Sequence, residues 1–210
     1  MSRTAICLFE QSGVFADLFS QNGFNVVAID KKLGSDIFDF EYKLVPKADI
    51  IISHPPCTEF AGSGSRWWAE KDKSEPSKLL LARAMVYRAL EIIYFHQPRI
   101  WWVENPVGRI ESCVPELKRY FKYLYNPYEF AGWADDPTSE AYTKKTCLWG
   151  KFRLPDKKPV FPIHGSMMHK LPPSPERNEL RSKTPQGFAR AFVAKNLTGE
   201  IPEQKKLFSL

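Results

Sequence analysis

Cysteine is scarce in this chain, and its four residues follow no regular spacing. Cys7, Cys57, Cys113 and Cys147 are spread over 210 residues. Proteins that depend on a disulfide framework are usually small and secreted, with denser and more regular cysteines. The sequence therefore argues against such a framework and indicates a reduced, cytoplasmic setting.

Long apolar runs are also missing. No stretch approaches the roughly 18 consecutive apolar residues that a membrane-spanning helix requires. The amino-terminal residues run directly into a strand pattern, without the basic, apolar and cleavage regions of a signal peptide. We therefore expect no membrane partner, and a length of 210 residues predicts one α/β domain with a small appendage.

Histidine is rare, and its spacing does not favour a metal site. His164 and His169 are close in sequence, but no Cys-x-x-Cys pair or carboxylate stands at ligand spacing beside them. A zinc site requires three or four such ligands. We predict no bound metal.

Basic residues outnumber acidic ones and concentrate in the second half. The net charge is +6 with a pI near 9.1, and the densest basic stretches are Lys144-Lys145, 151–158 and 177–183. An excess of positive charge favours a polyanionic partner such as nucleic acid, although a basic run is often only a solvated surface.

The first thirty residues predict a βαβ unit. An apolar strand over 5–9 is followed by a turn with Gly13, a helix beginning near Val14, and a strand over 24–29 that ends at Asp30. Rossmann-like units use this layout to hold a nucleoside, with the acid on the ribose hydroxyls. Since the turn has one glycine, an ordinary βαβ unit with an acidic cap remains an equal alternative.

The stretch 48–58 contains the strongest candidate for a nucleophile. Three isoleucines predict a buried strand, and Pro55 and Pro56 stiffen the backbone that leads into Cys57. A thiol just beyond the carboxyl end of a strand lies where open α/β sheets bind ligands. The alternative is a cysteine that only fills apolar space.

A second ionisable residue follows a later strand. A long helix over 76–96 precedes a strand over 99–103, and Glu104-Asn105-Pro106 ends that strand. If Glu104 shares a cleft with Cys57, burial raises its pKa and makes it useful as an acid. Its carboxylate is otherwise only a cap for the next turn.

The remaining segments are less regular. Gly62-Ser63-Gly64-Ser65 with Arg66, Trp67 and Trp68 predicts a mobile arm that closes over a base, unless the tryptophans belong to the core. The pattern further predicts a helix near 115–123, a strand entered from 143–149, and a helix that starts near Pro185.

Taken together, Pro55-Pro56-Cys57 and Glu104-Asn105-Pro106 resemble the motifs of the DNA cytosine-5 methyltransferase family, and are closest to its compact phage and mobile-element forms. The turn 9–13 precedes them at the place of the family's cofactor turn. Thr184-Pro185-Gln186-Gly187 resembles the closing motif. The resemblance covers most of 5–150 and about 180–197.

This resemblance implies a three-layer, Rossmann-like fold that binds S-adenosylmethionine, with a reduced or absent target-recognition domain. It implies a catalytic core over 1–150, a short basic and proline-rich insert over 151–183, a returning helix over 184–200, and a tail over 201–210. It also implies DNA as the partner, and the cytoplasm of a bacterial or phage-infected cell as the location. The short insert leaves a homodimer or a separate recognition partner open.

The resemblance also assigns roles to individual residues. Cys57 would attack C6 of a flipped-out cytosine, and Glu104 would bind the N3/N4 edge of the base. The cofactor residues would be Phe9, Glu10, Gly13, Asp30, Asp36 and Pro55, with Asp30 on the ribose and Asp36 on the adenine amino group. The DNA-binding residues would be Arg66, Lys144 and Lys145.

Departures from the family pattern keep other functions open. Gln11 replaces the first glycine of the cofactor turn, and Thr143-Lys144-Lys145-Thr146 has lysines where the family has arginines. One alternative is an enzyme that modifies a smaller or different pyrimidine substrate. Another is a catalytically silent, methyltransferase-like regulator that binds DNA or a partner. A cysteine hydrolase with Cys57 and His54 is disfavoured, because the two prolines hold these side chains apart.

Overall fold

A mixed six-stranded sheet with helices on both faces forms the body of the protein, in a computed structural model that describes residues 3–166 and 181–198. The strands are β1 (Arg3–Leu8), β2 (Phe24–Ile29), β3 (Ile50–Ser53), β4 (Ile100–Pro106), β5 (Phe121–Tyr125) and β6 (Thr146–Lys151). The helices are α1 (Val14–Gln21), α2 (Trp68–Ser74), α3 (Pro76–His96), α4 (Ile110–Cys113) and α5 (Gln186–Asn196). Short 3-10 helices cover Lys31–Leu33, Tyr42–Leu44, Gly62–Trp67, Pro115–Arg119, Pro127–Glu129, Ala131–Trp133 and Pro137–Glu140.

The strand order is β2-β1-β3-β4-β6-β5. Strands β2, β1, β3 and β4 are parallel, whereas β6 is antiparallel to β4 and β5 is antiparallel to β6. Because β2 and β3 lie on opposite sides of β1, the chain changes direction along the sheet between β1 and β3. Open α/β sheets bind their ligands at such a switch point, beyond the carboxyl ends of the strands.

Two hydrophobic clusters cover the two faces of the sheet. Side chains alternate along β1, so that Ile6 and Leu8 pack on one face with α3, and Ala5 and Cys7 pack on the other. Helices α1 and α5 cover this second face. The result is the three-layer, Rossmann-like α/β arrangement that the sequence predicted.

Aromatic side chains join α1 and α5 to the sheet. The Phe15 ring lies 5.0 Å from the Trp102 ring, and the Trp102 ring lies 4.3 Å from that of Phe192. All three side chains are fully buried or nearly so. Burial of one such ring contributes about 1.5–3 kcal/mol, so this cluster fixes α5 against the end of β4.

Several predicted elements are confirmed in type and position. Strand β2 covers 24–29 as expected, and α3 covers 76–96 with Pro76 in its first turn. The helix ends at Gln97, which has a left-handed backbone (φ 51°) and donates its N–H to the carbonyl of Ile93. The flanking prolines had marked both limits of this helix.

One local expectation was wrong: the helix expected over 115–123 is a 3-10 turn followed by β5. The arm at 62–65 lies in a 3-10 helix whose first residue, Gly62, donates its N–H to the carbonyl of Val107 at 2.8 Å.

The segment after β6 has no helix or strand over 152–162. Backbone bonds from Lys158 to Glu129 (3.1 Å) and from Val160 to Tyr128 (2.9 Å) attach it to the domain. Residues 167–180 of the predicted insert and the predicted tail at 201–210 lie outside the described residues. Within the described part, none of the helices is long and apolar enough to cross a membrane.

Candidate active site

Three strand ends bring the sequence-predicted residues to one edge of the sheet. The turn 9–13 follows β1, Pro55-Pro56-Cys57 follows β3, and Glu104 lies near the carboxyl end of β4. Strand β3 pairs with both β1 and β4, with Ser53 opposite Leu8 and Val103. Cys57 and Glu104 therefore come from neighbouring parallel strands, beside the switch point.

Hydrogen bonds fix the turn that contains Cys57. At its start, the His54 N–H donates to the carbonyl of Leu8 at 2.9 Å. At its end, the carbonyl of Cys57 accepts the N–H groups of Phe60 (2.9 Å) and Ala61 (2.8 Å). Cys57 is half-buried, so its side chain is partly accessible to a substrate.

Glu104 lies within the strand rather than after it. Strand β4 extends to Pro106 because β6 pairs with it there, with Leu148 opposite Glu104. The side chain of Glu104 lines a small cavity of about 10 Å³. The cavity is lined by His54, Trp102, Glu104, Tyr125, Lys144, Phe188 and the segment 182–185.

Burial raises the pKa values of the two central groups, Cys57 and Glu104. Burial of the thiol is the main cause for Cys57, and the Glu104 carboxylate adds to it. Burial also raises the pKa of Glu104, while the nearby Lys144 ammonium opposes this shift. Lys144 and Arg181 both favour the Cys57 thiolate. Such perturbed groups at a sheet edge are typical of catalytic sites.

His54 does not activate Cys57. Burial lowers the pKa of the imidazole to about 3, with a further contribution from Lys144, so the ring is neutral at pH 7. Its Nε2 has no hydrogen-bond partner among the described residues, and the ring packs 6.0 Å from that of Phe15. The structure thus offers no support for a cysteine hydrolase.

The turn after β1 has the strained geometry of a ligand-binding loop. Phe9 has a φ of 59°, which is rare for a residue with a side chain, and Gly13 has a φ of 72° directly before α1. Glu10 is buried, and one of its carboxylate oxygens accepts the hydroxyl of Ser12. Burial raises the pKa of Glu10, and the N–H groups of α1 partly offset this.

The two predicted acids near β2 already have partners among residues close to them in sequence. Asp30 follows β2 and accepts the N–H of Lys32 at 2.8 Å. Asp36 accepts the N–H of Phe38 at 3.1 Å and forms an ion pair with Lys31 at 2.9 Å. These contacts lower the pKa of Asp36, with the bond from Phe38 as the largest cause. A ligand amino group would have to share this carboxylate with Lys31.

Unpartnered polar atoms concentrate at the same edge. Nine buried side-chain polar atoms have no hydrogen-bond partner among the described residues, and five of them belong to this region. Those five are Glu10 Oε2, Ser53 Oγ, His54 Nε2, Trp102 Nε1 and Asn105 Oδ1. Because buried polar atoms are normally paired, their concentration here indicates a place for a polar ligand.

The predicted DNA-binding residues separate into two groups. Lys144 lines the cavity beside Glu104, and its Nζ donates to the carbonyl of Arg181 at 2.6 Å. Lys145 is exposed, and the exposed Arg66 lies 5.2 Å from the centre of the Trp67 ring. Lys144 therefore lies at the candidate site, whereas Lys145 and Arg66 lie on the exposed surface.

Sequence reasoning missed the contribution of the segment 181–185. Arg181 donates to the hydroxyl of Ser63 at 3.1 Å, so this segment bridges the cavity to the 3-10 helix after Cys57. Tyr125 also lines the cavity, at the end of β5, whose first residues the sequence pattern had placed in a helix over 115–123. In the described residues, no cluster of three His, Cys, Asp or Glu side chains has metal-binding geometry.

Comparisons with known proteins give one sequence relative. No protein-family model matches the chain. A protein of Frog virus 3 (isolate Goorha), named "Probable DNA (cytosine-5)-methyltransferase", is 27% identical over 144 residues. The match covers 61% of this chain and 61% of that protein, so it spans less than two thirds of the relative's length.

Among solved structures, the chain is similar to an E. coli protein whose title reads "putative DNA modification methyltransferase encoded within prophage". The TM-score is 0.42 with 16% identity, over 71% of this chain and 46% of the other. The chain is thus similar, over 61% of its length, to a viral protein that bears the name of a DNA cytosine-5 methyltransferase.

Proposed function

We propose that this chain is a DNA cytosine-5 methyltransferase with Cys57 as its nucleophile. The observation that supports this most is the pair Cys57 and Glu104 on neighbouring parallel strands, beside the switch point of the sheet. An addition to a pyrimidine ring requires a nucleophile and an acid near each other, and the Glu104 carboxylate is near enough to raise the pKa of the Cys57 thiol. The division into a core over 1–150 and the three shorter segments belongs to the same proposal.

The reaction begins with addition of the Cys57 thiolate to C6 of cytosine. The Sγ–C6 bond forms, and the electrons of the C5–C6 double bond make C5 nucleophilic. Glu104, whose pKa burial raises, holds a proton for N3, so that the ring does not accumulate negative charge. After C5 has gained a methyl group, water accepts the C5 proton, the C5–H electrons re-form the C5–C6 double bond, and the Sγ–C6 bond breaks to restore the thiolate. The N3 proton returns to Glu104.

Lys144 adds a positive charge to this centre. Its ammonium group favours the anionic forms of both Cys57 and Glu104. In the buried site this charge stabilises the attacking thiolate and any negative charge on the pyrimidine oxygen. We therefore assign Lys144 to the chemistry, and Lys145 and Arg66 to phosphate contacts.

S-adenosylmethionine would supply an electrophilic methyl group. The residues at the switch point fit it: the free Glu10 Oε2 suits a cationic amino group, and Asp30 stands at the end of β2, where an acid takes ribose hydroxyls. Phe9 and Gly13 would line the same turn, and Asp36 would take the adenine amino group. Pro55 would border the cofactor through the Cys57 turn.

The target base has to leave the duplex, and the site has to open for it. The cavity beside Glu104 has a volume of about 10 Å³, which is near the minimum for a single water. The segment 182–185 lines the cavity, and the preceding Arg181 is joined to the 3-10 helix 62–67 by its hydrogen bond to Ser63. Entry of a flipped cytosine therefore requires the segment 182–185 to move away from Glu104.

Incubation with methyl-labelled S-adenosylmethionine and mixed-sequence duplex DNA tests the proposal. After digestion, nucleoside mass spectrometry should find the label in 5-methyl-2′-deoxycytidine. Label in another nucleoside, or in free pyrimidine nucleotides supplied instead of DNA, would favour the pyrimidine-modifying alternative. If no substrate acquires label while the protein still binds DNA, the silent regulator is the better account.

A further inference from the structure

Arg109 links the segment after Glu104 to the turn that contains Cys57. Its Nε donates to the carbonyl of Glu59 at 2.8 Å, and its backbone N–H donates to the carbonyl of Phe60 at 2.9 Å. Both carbonyl groups belong to the turn that immediately follows Cys57. One residue on the Glu104 side therefore fixes two successive peptide groups on the Cys57 side.

The same guanidinium group also fixes α2. Nη1 and Nη2 donate to the two carboxylate oxygens of Asp72 at 2.6 and 2.8 Å, and the group lies 4.7 Å from the centre of the Trp68 ring. The side chain of Arg109 is 12% exposed. Asp72 itself is exposed, but a bidentate pair with a largely buried guanidinium group is more directional than an ordinary surface ion pair.

The backbone of residues 60–62 lies very close to that of residues 107–108. Ala61 and Gly108 form an isolated antiparallel bridge, and a Cβ at Gly108 would lie 1.8 Å from the carbonyl oxygen of Phe60. This close approach and the hydrogen bond between Gly62 and Val107 fix the distance between the Arg109 backbone and the carbonyl groups that Arg109 binds. The Cys57 turn is thus attached to the Glu104 segment at three successive residues, 60–62.

We infer that Arg109 is a positioning residue that sets the place of the Cys57 thiol relative to Glu104. It contacts neither the thiol nor the cavity, and acts through the carbonyls of Glu59 and Phe60. The inference rests on the proposed function, because it assigns Arg109 to the geometry of the attack. The charge alone does not suffice: a lysine cannot hold a carboxylate through two parallel bonds and a carbonyl through a third.

Alkylation of the cysteines tests this inference without DNA or cofactor. The variants are Arg109→Lys and Asp72→Asn, and mass spectrometry follows the reaction of each cysteine with iodoacetamide. Cys57 should react faster than in the wild type, because a loosened turn exposes the thiol and reverses the burial that raises its pKa. Cys7, which is fully buried in β1, reports global unfolding in the same sample.

A matched control is available on the opposite part of the fold. Arg190 holds Asp135 through two bonds of 2.5 and 2.7 Å, but lies on α5 and contacts no part of the Cys57 turn. Arg190→Lys should leave the alkylation rate of Cys57 unchanged. Equal acceleration of Cys57 and Cys7 in the Arg109 variant, or an unchanged Cys57 rate in both test variants, would overturn the inference.

The rate of adduct formation provides the second measurement. With DNA that contains 5-fluorocytosine, Arg109→Lys should slow formation of the covalent adduct at saturating DNA by about 10²-fold, with DNA affinity unchanged. A loss of affinity with a normal maximal rate would contradict a positioning role. If the wild type forms no adduct, the proposed function fails, whereas the alkylation experiment still decides the role of Arg109.

Discussion

The Asn105 side chain donates a hydrogen bond to the carbonyl of Pro55, with 3.0 Å between Nδ2 and the oxygen. This buried bond joins the residue after Glu104 to the rigid Pro-Pro segment before Cys57. The two candidate catalytic residues are therefore coupled by the chain positions next to them. The Asn-Pro pair that follows Glu104 has a structural purpose as well as a place in a motif.

Replacement of Asn105 should damage this coupling. Asn105→Asp preserves the shape but removes the donor and places a carboxylate beside the Pro55 carbonyl. We expect a stability loss of about 1–3 kcal/mol, as for a buried acceptor left unpaired, and slower adduct formation. Urea unfolding measures the first effect. An unchanged unfolding free energy and adduct rate would show that the bond is dispensable.

The pH dependence should reveal the two raised pKa values. Attack requires the thiolate of Cys57 and the protonated form of Glu104. As the pH rises from the pKa of Glu104 to that of Cys57, the thiolate fraction increases as fast as the protonated Glu104 fraction falls. We therefore predict a plateau in kcat/KM that declines on both sides.

Glu104→Gln changes this profile in a specific way. The amide needs no proton, so kcat/KM should rise with pH up to the pKa of Cys57, at a level about 10²–10⁴-fold below the wild type. The pKa of Cys57, measured by alkylation, should fall because the repelling carboxylate is gone. A plateau retained in Glu104→Gln would assign it to another group.

The two adjacent lysines should differ in effect. Lys144→Met should raise the pKa of both Cys57 and Glu104, because the ammonium group lowers both. It should slow adduct formation by about 10²-fold at saturating DNA. The exposed Lys145, replaced in the same way, should weaken DNA binding and reduce the salt slope by about 1. Identical effects of the two substitutions would contradict the division of roles.

Gly108 is required where the segment after Glu104 meets the turn after Cys57. Gly108→Ala would place a methyl group against the Phe60 carbonyl, and should cost about 1–3 kcal/mol of stability, as overpacking does. Gly64→Ala is the control, because no atom lies within 4 Å of its Cβ position, and its effect should stay within about 0.5 kcal/mol. Thermal unfolding of both variants checks the difference.

The parts of the fold that local sequence determines were predictable. Strand β2 and helix α3 have strong periodicity and clear stop signals such as Asn22-Gly23 and Pro98. Strand β5 was not predictable, because it exists through antiparallel pairing with β6, and an edge strand with half of its side chains exposed has a weak pattern.

The candidate site likewise contains residues that the local sequence predicts and residues that it does not. Cys57 and Glu104 were visible because each follows a buried run and lies within two residues of a proline. The position of Lys144 depends on where β6 crosses the sheet, and that of Arg109 depends on the fold of the loop after β4. Both positions are long-range results. The resemblance had named Lys144 together with Lys145 as a DNA contact, and no local pattern distinguished Arg109 from a surface charge.

A covalent adduct between the protein and DNA is the most direct test of Cys57 as the nucleophile. Mixed-sequence DNA that contains 5-fluorocytosine is incubated with the protein and S-adenosylmethionine, and the linked peptide is identified by mass spectrometry. We predict one adduct, on Cys57. It should be absent in Cys57→Ala and retained in Cys113→Ala, which removes another half-buried thiol. An adduct on a different residue, or 5-methylcytosine formed by Cys57→Ala at the wild-type rate, would contradict it.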